Sequence, residues 1–317
     1  MSEPLQLTTL GEALVVMDPV SRGPLRHVHG FEKSLGGAEL NVAVGISRLG
    51  HAAGWVGRLG DDEFGKEILA FARGEGIDVS RASLDPGAPT GLYFKEWGAL
   101  DQLRVYYYRA GSAASRMRFD DLDLEYLLSG EILHLSGITA ALSDTCHDLV
   151  DRLISVANER DVAVSFDLNV RRLLFEDRDP RKVLGPLAAR ADLLFLSDEE
   201  AELLFGGSDP ASLRESERDF RADTVVVHGS EGAFAVEGSG VSESAAYSVE
   251  VVDTVGAGDA FVAGFLSGRL QGWSTEECLD MANACGACAV TVPGDLNGLP
   301  TAEEALALRR GRRGVER

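Results

Sequence analysis

The chain has 317 residues, 45% hydrophobic and 26% charged, with 51 acidic against 30 basic side chains and a formal net charge of -21. So acidic a surface makes nucleic acid and anionic membranes poor partners, and no apolar run reaches the ~18 residues of a membrane span. The N-terminal stretch MSEPLQLTTLGEALVV has no basic segment leading into an apolar core, so no secretory signal is expected and the expected compartment is the cytoplasm.

In chain order, ALVVMDPVSRGPLRHVHGFEKSLGG (13–37) reads as strands with period-2 alternation and polar turns. AELNVAVGISRLG (38–50) has helical spacing, GWVGRLG (54–60) reads as a short buried strand, and KEILAFARGEG (66–76) as a helix. TGLYFKEWGALDQLRVYYYRAGSA (90–113) reads as a hairpin around GALDQ. Beyond it, the apolar runs EILHLSG (131–137), VAVSFDLN (162–169), ADLLFLS (191–197) and DTVVVHG (223–229) each end in polar or Gly residues. Buried parallel strands look like this, and the helical patterns DTCHDLVDRLISVANERD (144–161) and EEAELLFG (199–206) lie among them. The expected fold is therefore α/β, a mostly parallel sheet with helices on both faces. One domain over 1–317 is expected, with a small β-sheet lid from about 13–37 and 90–113. The basic tail RRGRRGVER is expected to fray.

The four cysteines make no disulfide framework in a chain this long. Cys285 and Cys288 form a CxxC, but within an apolar helical pattern that favours core packing over metal or redox chemistry. GDDEFGKE (60–67) has the GxxxxGK skeleton of a phosphate loop. It lacks the Ser or Thr for Mg²⁺, and its three carboxylates would repel a triphosphate.

The stretch DTVGAGDAFVAGFLSGRL (253–270) is more telling. Gly256 and Gly258 precede a helical pattern, so bare amides and a helix N-terminus would together seat a phosphate. Asp259 beside them is then either an N-cap or a general base for an attacking hydroxyl. The stretch alone leaves both readings open.

Together, DTVGAGDAF and GGAELNVAVGISRLG (36–50) strongly resemble the two signatures of the ribokinase-like (PfkB-type) carbohydrate kinases, over essentially the whole chain. The resemblance implies a ribokinase-like three-layer fold and use of ATP and Mg²⁺, with a monovalent cation as a further candidate. It implies Asp259 as catalytic base and Gly256, Ala257 and Gly258 as the anion hole. It implies Asn169, Ser197, His228, Gly229, Gly232 and Asn283 around the nucleotide, with Glu200 reaching Mg²⁺ through water. Two departures stand out: Ser197 replaces the usual Asn, and His228 the usual Thr or Lys.

Within the family, YYRAGSA, LHLSGIT, DLNVR and GDLNG are most similar to 2-keto-3-deoxygluconate kinases. That similarity implies a sugar-acid site at Gly36, Gly37, Asn41, Tyr93, Tyr107, Arg109, Ile138, Arg171 and Asp295. Arg109 and Arg171 would hold the carboxylate, since neutral sugars need no guanidinium fork, with the ATP phosphates as the alternative contact for Arg171. The expected reaction is phosphorylation of the terminal (C6) hydroxyl of 2-keto-3-deoxygluconate, with its galactonate epimer as a second substrate. The alternatives are a neutral-sugar kinase of fructokinase or ribokinase type and a non-catalytic sugar-acid sensor. Lid pairing in a homodimer, or a higher homo-oligomer, is the expected assembly.

Overall fold

The computed structural model describes residues 4–98, 102–216 and 220–311. The GALDQ turn of the expected hairpin and the end of the basic tail lie mainly outside these residues. From the N-terminus run β1 (Leu7–Leu10), β2 (Leu14–Pro19), β3 (Phe31–Gly36), α1 (Ala38–Arg48), β4 (Ala53–Val56), β5 (Arg58–Gly60), α2 (Glu63–Gly74), β6 (Ser83–Asp85), β7 (Leu92–Trp97) and β8 (Leu103–Tyr108). The middle adds α3 (Leu124–Leu127), β9 (Ile132–Ser136), α4 (Gly137–Ala141), α5 (Asp144–Glu159), β10 (Ala163–Asp167), α6 (Pro180–Ala188), β11 (Leu193–Ser197), α7 (Asp198–Phe205) and α8 (Pro210–Ser216). β12 (Thr224–Gly229), β13 (Gly232–Glu237), β14 (Gly240–Ala245), α9 (Ala257–Leu270), α10 (Thr275–Ala289) and α11 (Ala302–Arg309) complete it.

Eight strands form the main sheet in the order β14-β13-β12-β11-β10-β9-β1-β4. The six from β12 to β4 are parallel, while β13 and β14 pair antiparallel at one edge. Strands β1, β4 and β9 are buried at every residue, as strands covered on both faces must be. One face packs a core that includes Leu40, Val44, Phe195, Phe261, Phe265 and Leu279 under α1, α9 and α10. The opposite face packs Leu133, Phe166 and Leu196 against α5, α6 and α7.

Helix α5 shows how the local pattern chooses a face. Ser143 caps it by accepting from the Cys146 amide, and Cys146, Leu149, Val150, Leu153, Ile154 and Ala157 form its buried stripe. Helix α9 has no such stripe: Asp259 through Gly268 are all buried, so it runs through the interior. Its close approaches need glycines, since a Cβ on Gly45 would sit 2.6 Å from that of Ala263.

A second, four-stranded sheet has the order β3-β2-β7-β8. Its inner side carries Leu14, Val16 and Tyr93, packed with Val105 and Tyr107. GWVGRLG is not one strand: β4 joins the main sheet, while β5 pairs with β6 in a separate ribbon. The break falls at Gly57, where a Cβ would collide with the Trp55 ring. No helix among the described residues is long and apolar enough to cross a membrane.

Candidate active site

A cavity of about 510 Å³ opens between the two sheets, at the carboxyl ends of the parallel strands. Open parallel sheets place their ligands there because loops and helix N-termini converge. Its walls hold fifteen of the residues expected from sequence: Gly37, Asn41, Tyr93, Tyr107, Arg109, Ile138, Asn169, Arg171, Ser197, Glu200, His228, Gly256, Gly258, Asp259 and Asp295.

Asp259 is not a cap. Gly256 occupies the N-cap position of α9 with φ 79°, and no side chain caps the helix. The buried Asp259 carboxylate lies two residues into the first turn and accepts a hydrogen bond from Asn41 Nδ2 at 2.7 Å. Burial raises its pKa to about 6, while the Asn41 bond and the charge of Arg171 pull the other way. A carboxylate so placed can take a proton near neutral pH.

The turn itself is built against Asp295. A Cβ on Gly256 would run into the Asp295 carbonyl, and one on Gly36 would come within 2.6 Å of its Oδ2. Gly36 thus stands behind Asp295 rather than in the cavity wall. The Asp295 carboxyl is buried, has no hydrogen-bond partner on Oδ1 among the described residues, and is pushed up to about 7 chiefly by desolvation, against the pull of Lys95.

The two arginines differ. Arg109 is buried and forms an ion pair with the fully buried Glu12, its Nε donating to Oε2 at 2.6 Å. Ser112 Oγ donates to the other Glu12 oxygen at 2.7 Å, and the guanidinium lies 5.1 Å from the Tyr107 ring centroid. Arg171 is exposed at the cavity wall, where its charge acts on Asp259, Asp295 and Asp167.

Ser197 and Glu200 form the capping box of α7, but Glu200 also reaches sideways. Its Oε2 accepts from the Ser197 amide at 2.9 Å and its Oε1 from the Val170 amide at 2.6 Å. It therefore fastens the loop bearing Asn169, at φ 40°, and Arg171. Asn169 donates to Asp167, whose buried carboxyl is raised by desolvation and by the nearby charges of Glu200 and Asp259. His228 stacks on Phe261 with centroids 4.7 Å apart, and its ring approaches Gly258. Burial lowers its pKa, so it presents a neutral ring to the turn.

Ala257, Gly229, Gly232 and Asn283 lie outside the cavity wall. Gly229 and Gly232 pair across the β12–β13 turn, where the φ of 144° at Gly232 requires glycine. The Asn283 amide donates to the carbonyls of Ser244 and Ala245, anchoring the end of β14. GDDEFGKE, set aside as a phosphate loop, caps α2 through Asp62, which also accepts from Thr90.

Sequence reasoning missed Glu12, Lys95 and Asp167, all in the wall. Lys95 was within reach, because period 2 on β7 puts it on the same face as Tyr93. Glu12 carried no such signal, since only the fold brings it to Arg109. Among the described residues no group of three or more His, Cys, Asp or Glu could hold a metal ion.

The chain matches the profile of the pfkB family of carbohydrate kinases over residues 5–302. It is 37% identical to a 2-dehydro-3-deoxygluconokinase of Thermoproteus tenax, covering 95% of this chain and 93% of that one. A namesake from Bacillus subtilis is 36% identical over 98% of this chain and 97% of its own. The crystal structure of a 2-dehydro-3-deoxygluconokinase from Thermotoga maritima superposes with a TM-score of 0.88 at 29% identity, covering 98% of this chain and 99% of that one. The chain belongs to the pfkB family of carbohydrate kinases.

Proposed function

We propose that this kinase transfers the γ-phosphoryl group of ATP to the C6 hydroxyl of 2-keto-3-deoxygluconate or its galactonate epimer. The observation that carries the chemistry is Asp259, buried in the cavity at the first turn of α9 and hydrogen-bonded to Asn41 instead of capping its helix. Asp259 takes the hydroxyl proton, the oxygen attacks the γ-phosphorus, and the bond to the β-phosphate oxygen breaks to release ADP. The amides of the Gly256–Gly258 turn face the charge that develops on the transferred group.

Magnesium would arrive with the nucleotide, bound mostly by water and phosphate oxygens, so one or two carboxylates suffice. Asp167 and Glu200 are the wall carboxylates beside the loop of Asn169, and they fit that limited role. The ion would supply charge neutralisation on the phosphates.

The sugar acid is supported by Arg171, by the Tyr93 and Tyr107 pair at 5.7 Å, and by the names of the relatives above. One observation favours a second reading: Glu12 already answers the charge of Arg109, which suits a neutral sugar. An ADP-release assay comparing keto-deoxy sugar acids with fructose and ribose decides between them. Turnover confined to neutral sugars would remove the sugar-acid reading, and a chain that releases no ADP with any sugar would leave only a sensor.

For assembly we propose that two lids pair, since the edge strand β8 exposes Leu103, Tyr106 and Tyr108. Light scattering on the purified chain tests this. A monomer at micromolar concentration would refute it.

A further inference from the structure

Lys95 is the least expected charge in the molecule. It stands on lid strand β7, is 1% exposed, and borders the cavity. An ammonium withdrawn from water costs several kcal/mol unless something answers it, and an apolar side chain would pack this sheet without that cost. Its ion pairs are with Asp18 on neighbouring β2, at 3.4 Å, and with Asp253, at 3.8 Å. No hydrogen bond accompanies either pair among the described residues, so the ammonium is held by charge between a carboxylate of its own sheet and one belonging to the glycine turn.

Asp253 gives this placement its meaning. Its Oδ1 accepts from the Val255 amide at 3.0 Å, at the entry to the Gly256–Gly258 turn. Its Oδ2 accepts from the Gly294 amide at 3.1 Å, next to Asp295. One carboxylate thus fastens both segments that meet at the turn, and the charge facing it comes from the lid. Lys95 also lowers the pKa of Asp295, so its charge reaches both acidic groups there.

We propose that Lys95 is a positioning residue that ties the lid to the glycine turn through Asp253, holding the turn in phosphate-binding geometry beneath the strands that cover the sugar. This rests on the reading of Gly256–Gly258 as the phosphate seat and Asp259 as the base. A turn displaced by even 1 Å would lower turnover by up to about 100-fold while leaving the sugar contacts in place.

The test measures kcat, both KM values and melting temperature for Lys95→Met, Lys95→Arg, Asp18→Asn and Asp253→Asn, and for Lys95→Met combined with Asp253→Asn. Lys95→Met should lower kcat at least about tenfold and raise the KM for ATP, with the sugar KM changed less than about threefold. Lys95→Arg should restore most of kcat. Asp18→Asn, which removes only the partner within the lid, should stay within about twofold of wild type. The double variant should be no slower than the slower single variant, as expected for two groups acting as one unit.

The proposal is overturned if Lys95→Met keeps kcat and merely melts earlier, if Asp18→Asn reproduces its kinetics, or if the two losses multiply in the double variant. Should Lys95→Met not fold, Asp253→Asn with Lys95→Arg decides: unchanged kcat and ATP KM in the first, or failure of the second to keep activity, overturns it. Wild-type turnover on a neutral sugar alone would sink the sugar-acid reading, and the same variants assayed on that sugar would still test Lys95.

Discussion

Asn41 and Asp259 stand 218 residues apart in the chain and meet in a 2.7 Å hydrogen bond inside the cavity. Each belongs to the first turn of its own helix, α1 and α9, and those helices pack closely enough to need Gly45 against Ala263. The bond stabilises the ionised form of a carboxylate that burial would otherwise keep protonated. Asp259→Asn removes the proposed base and keeps the shape, so kcat should fall by about 10²–10⁴. Calorimetry should find sugar binding changed only a few-fold, and a variant with normal turnover would exclude Asp259 as the base.

Asn41→Ala bears on pH. The proposed base, Asp259, would work only when deprotonated, and its pKa of about 6 already includes the lowering by Asn41. Without that bond the pKa rises, so the acid limb of kcat/KM should move upward. Activity at pH 6 should then suffer more than activity at pH 8. A limb that stays in place would mean that another group titrates.

Arg109 and Arg171 should separate by phenotype. Arg109→Ala leaves Glu12 buried without its cation, and breaking such a pair costs about 3–5 kcal/mol. Its melting temperature should drop clearly, and adding Glu12→Gln should recover part of the loss. Arg171→Ala, at an exposed position, should melt like wild type yet weaken sugar-acid binding about tenfold or more. Equal weakening for a neutral sugar would remove the carboxylate role.

Glu39 offers a stability test. It is fully buried in α1, accepts a 2.5 Å hydrogen bond from Thr139 Oγ1, and has no hydrogen-bond partner on Oε2 among the described residues. Its carboxyl packs against Gly11, and the charges of Asp259 and Arg109 act on it from opposite signs. Burial raises its pKa from 4.5 to about 8, so the native state holds a proton that the unfolded chain releases above pH 4.5. Stability from this group is full below pH 4.5, declines as pH rises, and is lost by pH 8. Glu39→Gln has no proton to lose. Its melting temperature relative to wild type should therefore climb from pH 5 to pH 8, by the equivalent of about 1 kcal/mol or more. A difference constant with pH would show Glu39 to be ionised throughout.

The glycines around Asp295 make a last test. Gly256→Ala forces a Cβ onto a φ of 79° and against the Asp295 carbonyl, costing about 1–3 kcal/mol. The KM for ATP should rise with it. Gly36→Ala meets the Asp295 side chain at 2.6 Å, with Val16 Cγ2 farther off at 3.4 Å, and should disturb sugar binding more than ATP binding. The opposite pattern would mean that Asp295 belongs to the nucleotide end.

Much of this was legible in the chain. Apolar runs at β9, β10, β11 and β12 announced a parallel sheet, because a strand covered on both faces has no polar side to show. Period-2 alternation picked out β7 and β8, whose sheet has only one covered face. The β13–β14 hairpin went unread because its alternation runs through Ser, Gly and Ala, too weak a contrast.

The residue types and spacing of DTVGAGDAF determined by themselves that bare amides and a carboxylate stand at one helix end, since local geometry follows from local sequence. Only the tertiary structure decided where that carboxylate stands: Gly256 takes the cap position, and Asn41 arrives from the far end of the chain to hold Asp259 in the cavity. The same holds for charge. An Arg in YYRAGSA is visible in sequence, but its burial against Glu12 is not, nor is the place of Lys95 between Asp18 and Asp253. Pairings across two sheets depend on long-range packing, and that packing alone sets which charges remain free for a ligand.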